Sequence, residues 1–323
     1  MNTPEGKAWR ALAGTKGVGP KALWRIADFL SSRNKTAFEL IRNPDEIKAV
    51  LKESKDGIGA PDFAGPEYAD AEMSDGRAVT VLHPLHPDFP QRVRTLRDRF
   101  PLPAVLCVTG NVSILNRPGV AIVGGRRAGE AALAAVDSLA SELAAGGINV
   151  TSGYAAGVDT AAHLAALRAG GTTAIVLGEG IAHFRARPEF REFFTAENTL
   201  AISQFDPDAK WASYQAMTRN KLVVALSGAV VVIVSGPERD ANGRMSGTFD
   251  AGMAALKMGI PVFVAAPGSF ADHPSGNRQL IARGCREWDP ASGAAPILAA
   301  LGSHADQKPP PGQLDLFEKS PES

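Results

Sequence analysis

The residues of this chain best suited to hold an anion stand in two glycine-bearing turns. The first is Gly124-Gly125-Arg126-Arg127, directly after the apolar run 120–123. The second is Ser152-Gly153-Tyr154-Ala155-Ala156-Gly157, after a second expected strand at 148–151. Glycines let a backbone come close to a ligand, and the free amides of a helix N-terminus attract phosphate. Arg126 and Arg127 add positive charge and a bidentate fork for phosphate oxygens. Arg219-Asn220-Lys221 supplies further cations, expected in a loop or at a helix start, and Ser246-Gly247-Thr248 makes a third small-residue turn. Singly, each glycine could merely shape a tight turn and each cation could sit in a surface ion pair. Two such turns, one carrying two arginines, favour an anion site. Asp159 is expected to hold the second turn, since an acid near a helix start stabilises its amides. His163 is expected to be a structural hydrogen-bonding residue rather than a base. The chain shows neither a Ser/His/Asp arrangement nor a metal cluster, and Glu179 has no evident carboxylate partner. No catalytic residue, metal site or cofactor is therefore read from it.

These residues need strands that end where helices begin. The stretch 119–163 reads as strand, turn, helix, strand, turn, helix, with the helices reaching to about 145 and 169. Further strands are expected at 78–82, 104–108, 173–177, 200–205, 229–234 and 261–265. Helices are expected at 190–198, 214–226, 249–258, 276–283 and 296–301. Prolines 84, 87, 90, 101 and 103 forbid long elements between the first two strands. Alternating strands and helices predict an α/β protein with a doubly wound, mostly parallel, Rossmann-like sheet. The dinucleotide fingerprint G-x-G-x-x-G is missing: Gly124, Gly125 and Gly129 have the wrong spacing, and no acid ends the second strand. Nicotinamide-dependent dehydrogenase chemistry fits poorly.

At 323 residues the chain is long enough for one large domain and a smaller one. Lys+Arg and Asp+Glu both total 34, so overall charge gives no nucleic-acid signature. Residues 1–60, however, hold 11 Lys/Arg against 7 Asp/Glu. Here helical spacing surrounds Lys16-Gly17-Val18-Gly19-Pro20-Lys21, which is similar to a helix-hairpin-helix turn. In such turns, glycine amides meet a DNA phosphate without reading bases. Gly17, Gly19, Lys16 and Lys21 would make that contact. The alternative is a packing module with a solvated basic face. Residues 56–76, rich in Gly, Pro, Asp and Ala, read as a linker. The expected division is a small helical domain of helix-hairpin-helix or SAM-like type with its linker at 1–75, the Rossmann-like domain at 76–302, and a disordered tail at 303–323. Two isolated cysteines, no signal core and no stretch long enough to span a bilayer point to a cytoplasmic protein without membrane association.

In sequence order, these motifs resemble the DNA-processing protein A (DprA, also called Smf) family. The matching pieces are the Gly17-Val18-Gly19 turn, the proline-rich lead-in to 110, Val123-Gly124-Gly125-Arg126, and Ser152-Gly153-Tyr154-Ala155-Ala156-Gly157-Val158-Asp159 with Ala162-His163. Arg219-Asn220-Lys221 with Leu226-Ser227, then Ser246-Gly247-Thr248 with Ala251, and Pro267-Gly268 with Gly276-Asn277 complete the series. The chain departs from the family pattern at Ala156, at His183-Phe184-Arg185, at Gln204 and at Lys221, and no winged helix is expected after 301. The resemblance implies binding of single-stranded DNA, a homodimer, and loading of the RecA recombinase onto that strand in DNA uptake or recombination, without catalysis. The residues themselves put the expected phosphate contacts on the turn residues and on Arg219, Asn220 and Lys221, with Arg126, Arg219 and Lys221 foremost. An alternative is a nucleotide-binding or nucleotide-processing Rossmann-like protein. Phosphoribohydrolases of that kind carry P-G-G-x-G-T-x-x-E, whereas Met245-Ser246-Gly247-Thr248-Phe249-Asp250-Ala251 lacks both the double glycine and the Glu.

The tail holds one apolar island, Gln313-Leu314-Asp315-Leu316-Phe317, after three prolines. A chain segment gains nothing by exposing Leu314, Leu316 and Phe317 to water, so a partner groove is expected, the alternative being a segment that folds back on the main domain. The string resembles the Q-L-x-L-F peptide that docks bacterial replication and repair proteins into the DNA polymerase sliding clamp.

Overall fold

A computed structural model describes residues 3–52, 77–271 and 274–305. The apolar runs become nine strands: β1 Thr80–Leu82, β2 Leu106–Gly110, β3 Gly119–Val123, β4 Asn149–Ser152, β5 Thr173–Val176, β6 Thr199–Ser203, β7 Ala229–Val232, β8 Val262–Ala265 and β9 Arg286–Trp288. All join one sheet in the order β1-β2-β6-β5-β4-β3-β7-β8-β9. From β6 to β9 neighbours are parallel. The β1–β2 and β2–β6 pairs are antiparallel. Strands β3 to β7 are buried along their whole length, because helices cover both faces and leave no polar side to alternate.

The helices are α1 Pro4–Gly14, α2 Pro20–Arg33, α3 Ala37–Leu40, α4 Pro44–Lys52, α5 Gln91–Leu96, α6 Glu130–Ala145, α7 Val158–Arg168, α8 Ser213–Ala225, α9 Gly247–Lys257, α10 Ser275–Ala282 and α11 Ala295–Ala305. Alternate strand residues feed two separate cores. Val120, Ile122 and Val231 pack with Val136, Leu139 and Leu143 of α6 and Ala162 and Ala165 of α7. Ala121, Val123, Val230 and Val232 face the other way, with Leu222 of α8 and Phe249 of α9. That second core runs on without a break into Trp9 and Leu12 of α1 and Trp24 and Leu30 of α2. Trp24 Nε1 donates to Leu102 O at 3.0 Å. Trp9 stacks on His83 at 5.3 Å between ring centroids. Glu5 accepts the amides of Ala37 and Phe38 at 2.8 and 3.0 Å, so a carboxylate from α1 caps α3. None of the described helices is long and apolar enough to cross a membrane.

The structure departs from the sequence expectations at several points. No helix forms over 190–198: a 3-10 turn, Pro188–Phe190, ends at its first residue and only turns follow, and Phe190 and Phe194 face a small aromatic cluster instead of a helical stripe. Strand β9 was missed because Arg286 and Glu287 are exposed at the sheet edge, where no apolar run is required. Helix α11 continues to Ala305, two residues past the expected start of the tail. The expected linker at 56–76 and the Gln313–Phe317 peptide lie outside the described residues.

Candidate functional site

The topology fixes where a site belongs. From β3, strands β4, β5 and β6 are laid down in one direction, and β7, β8 and β9 in the other. The connections diverge between β3 and β7, leaving a crevice beyond the carboxyl ends of the strands. Two cavities open there. One, of about 580 Å³, is lined by Gly124, Gly125 and Arg126 after β3, by Gly153 and Asp159, and by residues of α8 and the start of α9. The other, of about 480 Å³, lies beside it against Tyr154, Gly178, Glu179, Arg185 and Arg187. Arg126, Ala155, Trp211, Ala216 and Arg219 line both, so the two form one cleft.

Close packing of the two glycine turns builds its floor. Gly157 adopts φ +78°, and a Cβ there would stand 2.6 Å from the carbonyl oxygens of Gly125 and Arg126. Only glycine permits both the dihedral and the approach. Val158 N donates to Gly125 O at 3.4 Å across that contact. At Gly153 a Cβ would fall 1.6 Å from Arg219 Nη1 and 2.4 Å from Asp159 Oδ2. The missing side chain is thus the space in which this Arg and Asp face each other.

Arg219 is only 7% exposed, yet its Nε finds no hydrogen-bond partner, and its guanidinium makes no hydrogen bond among the described residues. Burial pushes its pKa down, and the charge of Asp159 pushes it back up. Burial likewise raises the Asp159 carboxyl, against the pull of Arg219. Asp159 Oδ2 also accepts Ala155 N at 3.2 Å, holding the second turn. A buried guanidinium with unused donors, open to a cavity, is what an anionic ligand would complete. Five arginines (126, 185, 187, 219 and 244) line the cleft, against the carboxylates Asp159 and Glu179. Glu179 is itself pushed toward its neutral form by burial.

His163 lies beneath the floor. Its Nδ1 meets Thr173 Oγ1 at 2.6 Å and its Nε2 meets Gly153 O at 2.6 Å. Nε2–H donates to Gly153 O, while Nδ1 shares the Thr173 hydroxyl, whose one hydrogen also faces Val150 O at 2.8 Å. Burial lowers its pKa to about 4.

Not every residue singled out from sequence reaches the cleft. Gly124, Gly125, Arg126, Gly153, Arg219, Asn220, Gly247 and Thr248 line it. Asn220 Nδ2 also donates to Gly247 O at 3.0 Å, tying α8 to α9. Arg127 is exposed but lines neither cavity. Ser152 is fully buried and donates to Ile122 O at 2.6 Å, joining β4 to β3. Ser246 caps α9, its Oγ accepting Phe249 N at 3.3 Å. Arg219, Asn220 and Lys221 lie inside α8, not in a loop or at a helix start. Successive residues of an α-helix differ in direction by about 100°, so Lys221, two residues after Arg219, leaves the cleft and faces the charge of Asp250. Gly17 takes φ +87° in the α1–α2 turn, and Pro20 fills the first position of α2. Lys16, Gly17, Gly19 and Lys21 are all exposed at its apex.

Sequence reasoning missed Trp211, Tyr214, Arg185, Arg187, Arg244 and Met245. Trp211 and Tyr214 belong to no apolar stripe, and that isolation was the one available signal. Arg187 donates to Thr160 Oγ1 at 2.9 Å and to Tyr154 O, and lies 4.3 Å from the Tyr154 ring centroid.

The sequence matches the family model of DNA recombination-mediator protein A over residues 80–293. DNA processing protein DprA of Streptococcus pneumoniae is 31% identical over 194 residues, covering 59% of this chain and 65% of that protein. Protein Smf of Synechocystis is 28% identical over 256 residues, covering 75% of this chain and 61% of that protein. The aligned parts thus span under two thirds of these relatives' own length. The X-ray structure of the Streptococcus pneumoniae protein shares the fold, with TM-score 0.67 and 21% identity over 92% of this chain and 97% of that one. DNA processing protein A of Helicobacter pylori, described with a unique single-stranded DNA binding mode, superposes with TM-score 0.55 and 26% identity over 68% of this chain and 96% of that one.

Proposed function

Because the chain belongs to the DNA recombination-mediator protein A family, we propose that the cleft between β3 and β7 binds single-stranded DNA and that the protein presents the bound strand to the RecA recombinase. The observation that carries this reading is Arg219, a buried guanidinium with unused donors at the floor of an arginine-lined cleft. A phosphate would supply the acceptors that Arg219 lacks, and Arg126, on the lip, would meet the neighbouring phosphate. Gly124, Gly125, Gly153, Gly247 and Thr248 would let the backbone of the strand approach. The role is binding and delivery, not bond breaking.

Three further expectations belong to the same reading. The protein works as a homodimer, which light scattering of the full chain tests. The α1–α2 turn adds contacts to the DNA backbone. The peptide Gln313-Leu314-Asp315-Leu316-Phe317 tethers the protein to the sliding clamp. Leu316 and Phe317 would bury roughly 3–6 kcal/mol of apolar surface gross of ordering costs. A peptide of residues 309–323 should bind purified clamp at micromolar affinity, and L316A/F317A should not.

The deciding experiment titrates the full chain with a labelled single strand, the matching duplex, ADP-ribose and NAD. The expected result is a preference for the single strand that weakens with salt as counterions are released. Binding of ADP-ribose or NAD without the oligonucleotide would refute the reading in favour of a nucleotide-binding protein. RecA filament assembly on protein-coated strands tests delivery.

A further inference from the structure

Among the described residues, large apolar side chains are exposed at few places: Leu85 at 38%, Trp211 at 53%, Tyr214 at 69% and Met245 at 42%. The last three line the same cavity. Trp211 lies just before α8 and Tyr214 is in its first turn, and both side chains line the first cavity. Trp211 also lines the second cavity, so its indole stands on the ridge between the two, above Arg219, which floors both. The indole lies next to Gly178. A Cβ at Gly178 would meet its Nε1 at 3.4 Å and Cδ1 at 3.5 Å, which is ordinary contact. The Arg126 guanidinium lies 6.0 Å from its ring centroid. A rigid aromatic plane left half in water gains nothing in the free protein. Unpaired bases are flat, apolar-faced ligands that stack on such planes, whatever their sequence.

We propose that Trp211, helped by Tyr214, is the base-stacking element of the cleft, with bases of the strand packed against the indole while a phosphate of the same strand rests on Arg219. This inference rests on the single-strand reading above and adds to it that the bases, as well as the backbone, hold the strand. Duplex DNA, whose bases already stack on each other, cannot use the platform. Each cavity lies within the roughly 300–1,000 Å³ of small-ligand sites.

The other tryptophans, Trp9, Trp24 and Trp288, are buried, so Trp211 alone is placed to report on a ligand by fluorescence. The test compares a dT oligonucleotide with an abasic strand of equal length, using the full chain and the variants W211A and W211F. In the wild type, dT should quench tryptophan emission and bind more tightly than the abasic strand, by roughly 5- to 140-fold for one stacked base. W211A should lose that margin while keeping its affinity for the abasic strand. W211F should keep most of the margin and lose the quench. A W211A protein that still distinguishes dT from the abasic strand as well as the wild type overturns the stacking role but leaves phosphate binding intact. A wild type that binds neither strand overturns the single-strand reading itself. Circular dichroism of both variants should match the wild type, since Trp211 is not part of a core.

Discussion

Replacing Arg219 with Met keeps a long unbranched stem and removes the guanidinium. A charge-assisted hydrogen bond is worth about 1.5–3 kcal/mol, so affinity for single strands should fall roughly 12- to 140-fold. The loss should be the same for every sequence, because phosphates carry no base information. The slope of log affinity against log salt should shrink by about 0.7 for one phosphate on a single strand. Stability answers to two opposed effects. Leaving Asp159 buried without its counter-charge costs about 3–5 kcal/mol. Removing a buried guanidinium whose Nε makes no hydrogen bond returns about 1–3 kcal/mol. The net loss is about 2 kcal/mol, or a Tm lower by about 4–8 °C in a domain of this size. Its pH dependence follows from Asp159, whose carboxyl burial raises and Arg219 lowers. Without Arg219 it rises further. A raised carboxyl penalises the folded state above its own pKa and does so no longer below the unfolded value of 3.8. The deficit against wild type should therefore be full at neutral pH and shrink as the solution is acidified. Anisotropy titrations over a salt series, with thermal melts at about pH 7 and about pH 5, read all of this. A folded R219M protein with unchanged affinity and salt slope would remove the phosphate from Arg219. A deficit that grows in acid would contradict the pairing with Asp159.

Gly157→Ala meets both a φ of +78° and two carbonyl oxygens at 2.6 Å. It should cost about 2–3 kcal/mol or more and weaken strand binding by parting the two turns, whereas Gly268→Ala, with open space around it, should stay within about 0.5 kcal/mol in the same melts. Lys16→Glu with Lys21→Glu should lower affinity for a duplex and leave the dT quench intact; equal duplex binding would make the turn a packing element only. Deleting α1 and α2 would not be a clean test, because they share the core of the sheet and their removal would expose it. His163, buried and lowered to about 4, refuses a proton that the unfolded chain accepts near 6.5. The stability it allows is complete above about pH 6.5 and falls by about 3 kcal/mol as pH drops toward 4. Denaturant midpoints that do not decline across that window would show the ring to be solvated.

Family, fold class and turns were legible in the sequence because they depend on local chemistry. An apolar run buried on both faces must be β3, and Gly124-Gly125 must follow it. Gly146-Gly147 must end α6. The two glycine turns could be matched with the edge of a parallel sheet for the same reason. What residues near in sequence could not specify was decided by packing. Arg219 reads as an anion-binding cation in a loop or at a helix start, yet the register of α8 drives it under Gly153 and turns Lys221, two residues on, away. Ser152 and Ser246 read as anion ligands, yet backbone groups nearby claim their hydroxyls. Trp211 and Arg187 carried no pattern, because their places in the cleft arise from segments far from the turns they join. The strand order decided most of all: only when β7 inserts beside β3 does a crevice open between their ends, and no local rule of sequence sets that adjacency.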